Sequence, residues 1–476
     1  MRFPFGARTI EMKIILTKTP RSSTHIRLIT KEGASTIPDF QGEKGAVTVR
    51  YDTRGADICA GLGEQAKCSI HAVRTAAAQA MRRAIELKRE RVALALPTRR
   101  ECADLRAPAA ALEGALMGAY SFSRYKSEKP ARIETLECVG AGVSGADVAR
   151  IESIVAAVNY ARDLTNENAD TVYPETLARE ARRIAQTGGM RITVLDEKQI
   201  LAKKMGLLSA VGRGSPYPPR LIALEYSGNR RSSERTAIVG KGVTFDSGGY
   251  NLKPTGSLED MKHDMAGAAA VLGIMQALAA LKAKVNVVGI IPAAHNALDG
   301  RSYFPGDVYT SLAGKTVEIT NTDAEGRLIL ADAITWCQKT YAPARLIDLA
   351  TLTGGILTTL GEYVAGLFSN TPEMAGALFN AGERTFERVW HFPLYDEYAD
   401  SMKSDIADLR NTSKFKKGYA SSITGAAFIR EFIEGIPWAH IDIAGTAWNA
   451  GDARGEIPKY ATGFGVRLAL AYLDVA

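Results

Sequence analysis

The alternation of apolar and polar positions divides the chain into short extended runs separated by longer stretches of helical period. Residues 46–51 (AVTVRY), 91–97 (RVALALP) and 133–140 (IETLECVG) read as strands ended by turn residues. Residues 69–90 are Ala-rich with apolar positions at helical spacing, and a second helix is expected over 103–121. Residues 145–168 form one amphipathic run that ends in a polar, Asn-rich stretch, as a helix joining two domains would. Beyond it, helices at 174–186, 197–204, 264–282 and 328–338 intervene among apolar strands at 191–196, 221–227, 236–242, 285–293, 346–354 and 438–445. This alternation predicts the α/β class. A small N-terminal α/β domain (1–145) is followed by a linker helix (146–168) and a larger C-terminal α/β domain (169–476). The latter holds a mixed, mostly parallel sheet between helices. Sites in such sheets lie beyond the strand ends, which nominates the loops after TAIVG, after IDLA and around NTDAEGRL (321–328).

Composition narrows the class. A length of 476 residues suits two domains, and 46% hydrophobic with 23% charged residues is ordinary for a globular enzyme. No run approaches the roughly 18 apolar residues of a membrane span, so a soluble protein is expected. The five cysteines are widely spaced with no CxxC, which suits reduced thiols in a cytoplasmic compartment. The N-terminus lacks a long apolar segment, so a secretory signal is not expected. Its arginines leave organellar targeting as a weaker alternative, and Met12 is a second candidate start. The formal charge of +7 belongs to the front of the chain. Residues 1–145 carry 24 Lys+Arg against 15 Asp+Glu, a net of +9, and the remainder carries 35 against 37, a net of −2. Such an excess suits an anionic partner, including nucleic acid, or a solvated surface.

The chemistry concentrates in two stretches. In NTDAEGRL, Asp323, Glu325 and Arg327 alternate at i, i+2 and i+4, so in an extended segment all three face one side. Gly326 permits close backbone approach. An apolar helical run follows, so the acids alternatively serve as caps or dipole partners. The stretch 239–267 places Lys241 at a strand end, Asp246 five residues later, Lys253 seven beyond that, and Asp264 at a helix start. Together these carboxylates could not all ionise without counter-charge. Ordinary salt bridging with the lysines is the simpler account of either stretch alone. Two bridged divalent cations account for both, and a nearby dication would depress the pKa of Lys241 until the neutral amine binds.

NTDAEGRL, the KGVTFDSGG…K…D spacing, DLATLTG (348–354) and HIDIAGTAW (440–448) resemble the signature of the leucyl aminopeptidase (cytosol aminopeptidase) family of two-metal aminopeptidases, peptidase family M17. The resemblance covers residues 150–476 and is weak before 145. It implies a tightly held metal on Lys241, Asp246, Asp264 and Glu325. A more exchangeable one would sit on Asp246, Asp323 and Glu325, with Zn, Mn, Mg or Co as candidates. By the same resemblance, a metal-bridged water or hydroxide attacks the scissile carbonyl. Lys253 acts as electrophile, and Arg327 holds a bicarbonate that shuttles the proton. Met261, Asn321, Thr351, Leu352 and Gly354 would contact the substrate and favour leucine and other apolar N-terminal residues of peptides. Family members are homohexamers, and the same assembly is expected here. A nucleic-acid-binding role of the basic N-terminal domain is the competing alternative, tested by salt-dependent retention on DNA.

Other signals fall away. AGKT (313–316) resembles the tail of a P-loop, but Tyr309 stands where the first glycine is required. HExxH and GxSxG are both missing from the sequence. Lone His25 and His71 read as surface or structural residues, and His440 and Asp442 as supports of their strand. Glu259 and Asp260 read as surface or capping residues, His263 is not expected to ligate metal, and Cys337 reads as core.

Overall fold

The computed structural model describes residues 12–53, 55–416 and 418–475. Of the N-terminal stretch considered above for targeting, residues 1–11 lie outside them. The chain divides into two compact units. One comprises the residues up to Asn159 together with Asn449–Tyr460, and the other comprises Tyr160–Trp448 with the residues from Ala461.

In the first unit the strands are β1 (Lys13–Thr17), β2 (Thr24–Thr30), β3 (Val47–Asp52), β4 (Gly55–Gly63), β5 (Arg91–Ala95) and β6 (Thr135–Val139). They form one sheet in the order β1-β6-β5-β2-β4-β3, in which only the β3–β4 pair is antiparallel. Helices α1 (Ile70–Glu86) and α2 (Ala107–Gly118) pack through Ala-rich buried faces. Ser69 caps α1 by accepting the Ala72 N–H. The helix stops short of residue 90 because Lys88 turns into the left-handed region at φ 54°. Strand β4 escapes a periodicity search: GADICAGLG is rich in small residues of low strand propensity. Pairing with β2 and β3 on either side holds it extended. Residues 449–460 join this unit through Glu456, which accepts from Thr75 and lies beside Arg74.

Helix α3 spans Gly145–Asn166. The second unit continues with α4 (Pro174–Gly188), β7 (Arg191–Leu195), α5 (Glu197–Ala202), α6 (Gly206–Gly212), β8 (Arg220–Ser227), β9 (Thr236–Gly240), β10 (Gly242–Asp246), α7 (Ala266–Ala280) and β11 (Asn286–Asn296). Next come β12 (Val308–Thr310), β13 (Thr316–Glu318), α8 (Gly326–Tyr341), β14 (Arg345–Ala350), α9 (Gly354–Leu360), β15 (Ala365–Ser369), β16 (Val389–His391), β17 (Leu409–Arg410) and β18 (Trp438–Asp442). The main sheet runs β16-β15-β18-β14-β9-β11-β8-β7, with β10 also on β11. It is mixed but mostly parallel: β8 is antiparallel to β11 and β7, and β15 to β18. The expected α/β class and mixed sheet between helices are therefore present.

Helix α6 has no counterpart in the apolar periodicity. Its first N–H groups are satisfied from outside: Leu207 and Leu208 donate to one oxygen of Asp332 at 2.9 and 3.0 Å, and Leu312 donates to the other at 2.7 Å. A carboxylate on α8 thus stands in for a local cap. Burial pushes Asp332 up to about 7 against these three donors.

At the end of β11, His295 packs between Tyr217 and Phe245, with ring centroids 5.4 and 5.9 Å away. Burial pushes its imidazole down to about 4 from 6.5. A histidine depressed by folding contributes stability that is complete above pH 6.5 and is lost as pH falls toward 4. Chelated wild type should therefore lose on the order of 2 kcal/mol more than His295→Phe over that interval. Denaturant unfolding at the two pH values checks this, and equal losses would contradict it.

Candidate metal centre

The central strands β9, β10, β11, β14 and β18 are parallel to their β9, β11 or β14 neighbours and end on the same edge. Lys241 follows β9, Asp246 and Asn296 are the last residues of β10 and β11, Thr351 follows β14, and Asp442 ends β18. Asp264 closes the short 3-10 turn Met261–His263 just before α7. The Lys241 backbone is tied on both sides, donating to Leu349 and accepting from Ala268, each at 2.9 Å. Such proximity demands glycine at 267, where a Cβ would come within 2.1 Å of the Leu349 carbonyl oxygen.

The turn before α8 differs from the extended segment expected of NTDAEGRL. Residues 322–323 form a turn, Glu325 is already αR, and Arg327 lies in the first helical turn. Glu325 occupies the N-cap position, yet its side chain makes no capping bond. Its carboxylate lies 2.8 Å from the Lys241 ammonium instead. Gly326 is where the Lys241 side chain crosses α8: a Cβ there would sit 2.6 Å from Lys241 Cε. The glycine therefore admits a lysine.

Four carboxylates and two ammonium groups meet here. Lys241 Nζ is 2.8 Å from both Asp264 oxygens and donates to the Thr351 carbonyl at 2.7 Å. Lys253 Nζ is 2.8 Å from Asp246 Oδ2 and 2.5 Å from Asp323 Oδ1. Oxygens of Asp246, Asp323 and Glu325 all lie within 4.8 Å of one another. Asp246 Oδ1 accepts from the Gly248 N–H and from Asn296 Nδ2, at 2.9 and 2.7 Å, and Thr351 Oγ1 donates to Asp264 Oδ1 at 2.7 Å.

Charge at this point is unbalanced. Four ionised carboxylates against two ammonium groups leave a net of −2 in a buried space. Burial, followed by the neighbouring Asp246 and Glu325 charges, pushes Asp323 up to about 7. Asp264 and Asp246 are raised, mainly by burial. For Glu325, burial is overcome by Lys241 and Lys253, which hold it low. Lys241 and Lys253 are both raised, because the surrounding carboxylates outweigh burial. The buried oxygens Asp264 Oδ2, Asp323 Oδ1 and Glu325 Oε1 face the lysine ammonium groups, at 2.8, 2.5 and 2.8 Å. A buried group of carboxylates short of positive charge fits divalent cations held by oxygen ligands.

Arg327 stands beside this group. It is buried, Nη1 donates to the Asn411 carbonyl at 2.8 Å, and Nε has no partner among the described residues. Burial pulls the guanidinium down to about 10 against the charges of Glu325 and Asp442. Asn321 accepts the Asp323 N–H, and the Leu352 N–H donates to Asp442. Met261 lies in the 3-10 turn before Asp264, and Gly354 is exposed at the start of α9.

His263 stacks on Trp448 and points Nδ1 at the Asp260 carbonyl; burial pushes it down to about 4. His440 is fully buried against Asp348, which also accepts from Trp438. Asp442 accepts from Leu352 and Thr353 and so fastens the loop after β14. Cys337 is in the core.

Thr322, Asn296 and Asn411 are the residues that sequence reasoning passed over. Thr322 exchanges hydrogen bonds with Asn251 and donates to the Gly248 carbonyl, fastening the Lys253 loop to the turn. Asn411 accepts from Thr320 and Asn321 and donates back to Asn321. Uncharged and distant in sequence, they carry no motif-like signal.

Residues 159–470 match the catalytic domain of the cytosol aminopeptidase family, and residues 33–129 match its N-terminal domain. The likeness thus extends into the region where no motif was legible. A probable cytosol aminopeptidase of Protochlamydia amoebophila is 42% identical over 448 residues, 91% of this chain and 89% of the relative. That of Syntrophotalea carbinolica is 43% identical over 457 residues, covering 94% and 89%. Among solved structures, a tomato leucine aminopeptidase mutant superposes with a TM-score of 0.88 at 31% identity, covering 97% of this chain and 96% of that one. The bottromycin maturation enzyme BotP in complex with Mn gives 0.87 at 32%, covering 94% and 98%. With both domains matched, and with a carboxylate cluster suited to cations at the strand ends, this chain belongs to the cytosol aminopeptidase family of metal-dependent aminopeptidases.

Proposed function

We propose that the protein is a two-metal leucyl aminopeptidase that removes leucine and other apolar residues from peptide N-termini. Lys241, Asp246, Asp264 and Glu325 hold one divalent cation, and Asp246, Asp323 and Glu325 hold the other, with Zn, Mn, Mg or Co as occupants. The observation that carries this is the meeting of Asp246, Asp323 and Glu325 oxygens within 4.8 Å of one another, in a group whose four carboxylates outnumber its two ammonium groups. When bound, two such cations lower the pKa of a water and polarise the scissile carbonyl. Lys253 supplies a fixed positive charge to the oxygen on which negative charge develops. Arg327, buried with Nε free of partners among the described residues, holds a bicarbonate that serves in place of a side-chain base. Met261, Asn321, Thr351, Leu352 and Gly354 form the substrate contacts.

Catalysis is assigned to residues 169–476, joined through 146–168 to the N-terminal domain, in a cytoplasmic homohexamer active in peptide catabolism. No helix among the described residues is long and apolar enough to cross a membrane. Nucleic-acid binding by the basic N-terminal domain stays second. In its densest basic cluster, Arg83 and Arg91 lie 2.8 and 3.6 Å from Glu86 and Glu137.

Chelation should abolish hydrolysis, and re-addition of Zn, Mn, Co or Mg should restore it to different extents. Leucyl substrates should be cleaved faster than acidic ones. Turnover that survives complete chelation, or the opposite order of first residues, would overturn the proposal.

A further inference from the structure

We propose that Asn296 is a positioning residue that locks the two halves of the metal centre to each other; this rests on the metal assignment above. Asn296 ends β11 and is fully buried. Its Nδ2 donates to Asp246 Oδ1 at 2.7 Å and to the Thr322 carbonyl at 3.1 Å. One amide thus joins the β10 half to the turn that carries Asp323 and Glu325. With the Gly248 N–H also on Asp246 Oδ1, that oxygen is committed, and Oδ2 is the one turned to Lys253. The Thr322 carbonyl receives a second donor, the buried Tyr303 hydroxyl, at 2.8 Å. The Thr322–Asp323 peptide is therefore held from both ends, because the Asp323 N–H is taken by Asn321.

Asn296 suits this task chemically. A carboxylate at 296 could not donate to Asp246, and a hydroxyl has a single proton for two acceptors. Orienting partners of ligating carboxylates typically change metal affinity by 10- to 100-fold.

The two contacts predict different effects on the two ions. Asn296 touches Asp246, which serves both, whereas Tyr303 touches only the carbonyl that leads into Asp323. Mn2+ binding to the metal-stripped full-length protein, read from the resonance signal of free Mn2+, separates these effects without reference to activity. Asn296→Ala should weaken both sites about 10- to 100-fold. Tyr303→Phe removes one hydrogen bond at constant shape and should weaken only the looser site, about fivefold. A general loss of stability would not distinguish the two sites. Folded Asn296→Ala that binds both ions within twofold of wild type overturns the proposal. Should Asn296→Ala fail to fold, Asn296→Ser decides, since a hydroxyl has one proton for the two acceptors, and binding of both ions within twofold of wild type overturns the proposal. Wild type that binds no Mn2+ overturns the metal assignment itself.

Discussion

Asp323→Ala should lower turnover of a leucine chromogenic substrate at least about 10³-fold while the protein remains folded. The fold should survive because Asp323 sits in a turn ahead of α8 and its side chain is one-third exposed. Circular dichroism would establish that. The activity should not survive, because Asp323 is the carboxylate assigned to the exchangeable cation alone, so its loss removes that ion. Mn stoichiometry should fall from two per chain to one in parallel. The apo-protein gains slightly in one respect, since the net charge of the group drops from −2 to −1. A destabilised variant would therefore point to a structural duty, and undiminished turnover would refute the assignment.

Lys253→Met should reduce kcat about 10²- to 10³-fold with both cations still bound, the range expected when one preorganised stabiliser of developing charge is removed. Lys253 reaches the centre on a loop fastened by Thr322, and in the metal-free centre Asp246, Glu325 and Asp323 outweigh its burial and hold its ammonium charged. A group held charged cannot act as a proton acceptor near neutral pH, which leaves it an electrostatic task. The loss should therefore fall on kcat more than on KM and should persist at saturating metal. Recovery of kcat at high metal concentration would show instead that Lys253 only offsets carboxylate repulsion.

Much of this was legible before any tertiary contact was known. Apolar strands such as 236–242 and 285–293 and the helix after NTDAEGRL appear where their periodicity places them, because each is buried along its length. The wrong geometry at 321–327 is instructive. An extended backbone would place residues at i, i+2 and i+4 on one side, whereas a turn and a helix start bring them together by another path. Helix α6 and strand β4 were illegible because their support comes from Asp332 and from two neighbouring strands, contacts between residues distant in sequence.

The chain by itself determined the α/β class and nominated the charged residues of the centre, since burial pattern and charge are properties of side chains read in order. Only the tertiary structure decided which carboxylate oxygens converge on one point, and that Lys241 lies across Gly326. It alone showed that neutral Thr322 and Asn296 join the two halves. Hydrogen bonds act over about 3 Å and have no periodicity along the chain, so partners 26 or 74 residues apart leave no trace in the sequence until the backbone brings them together.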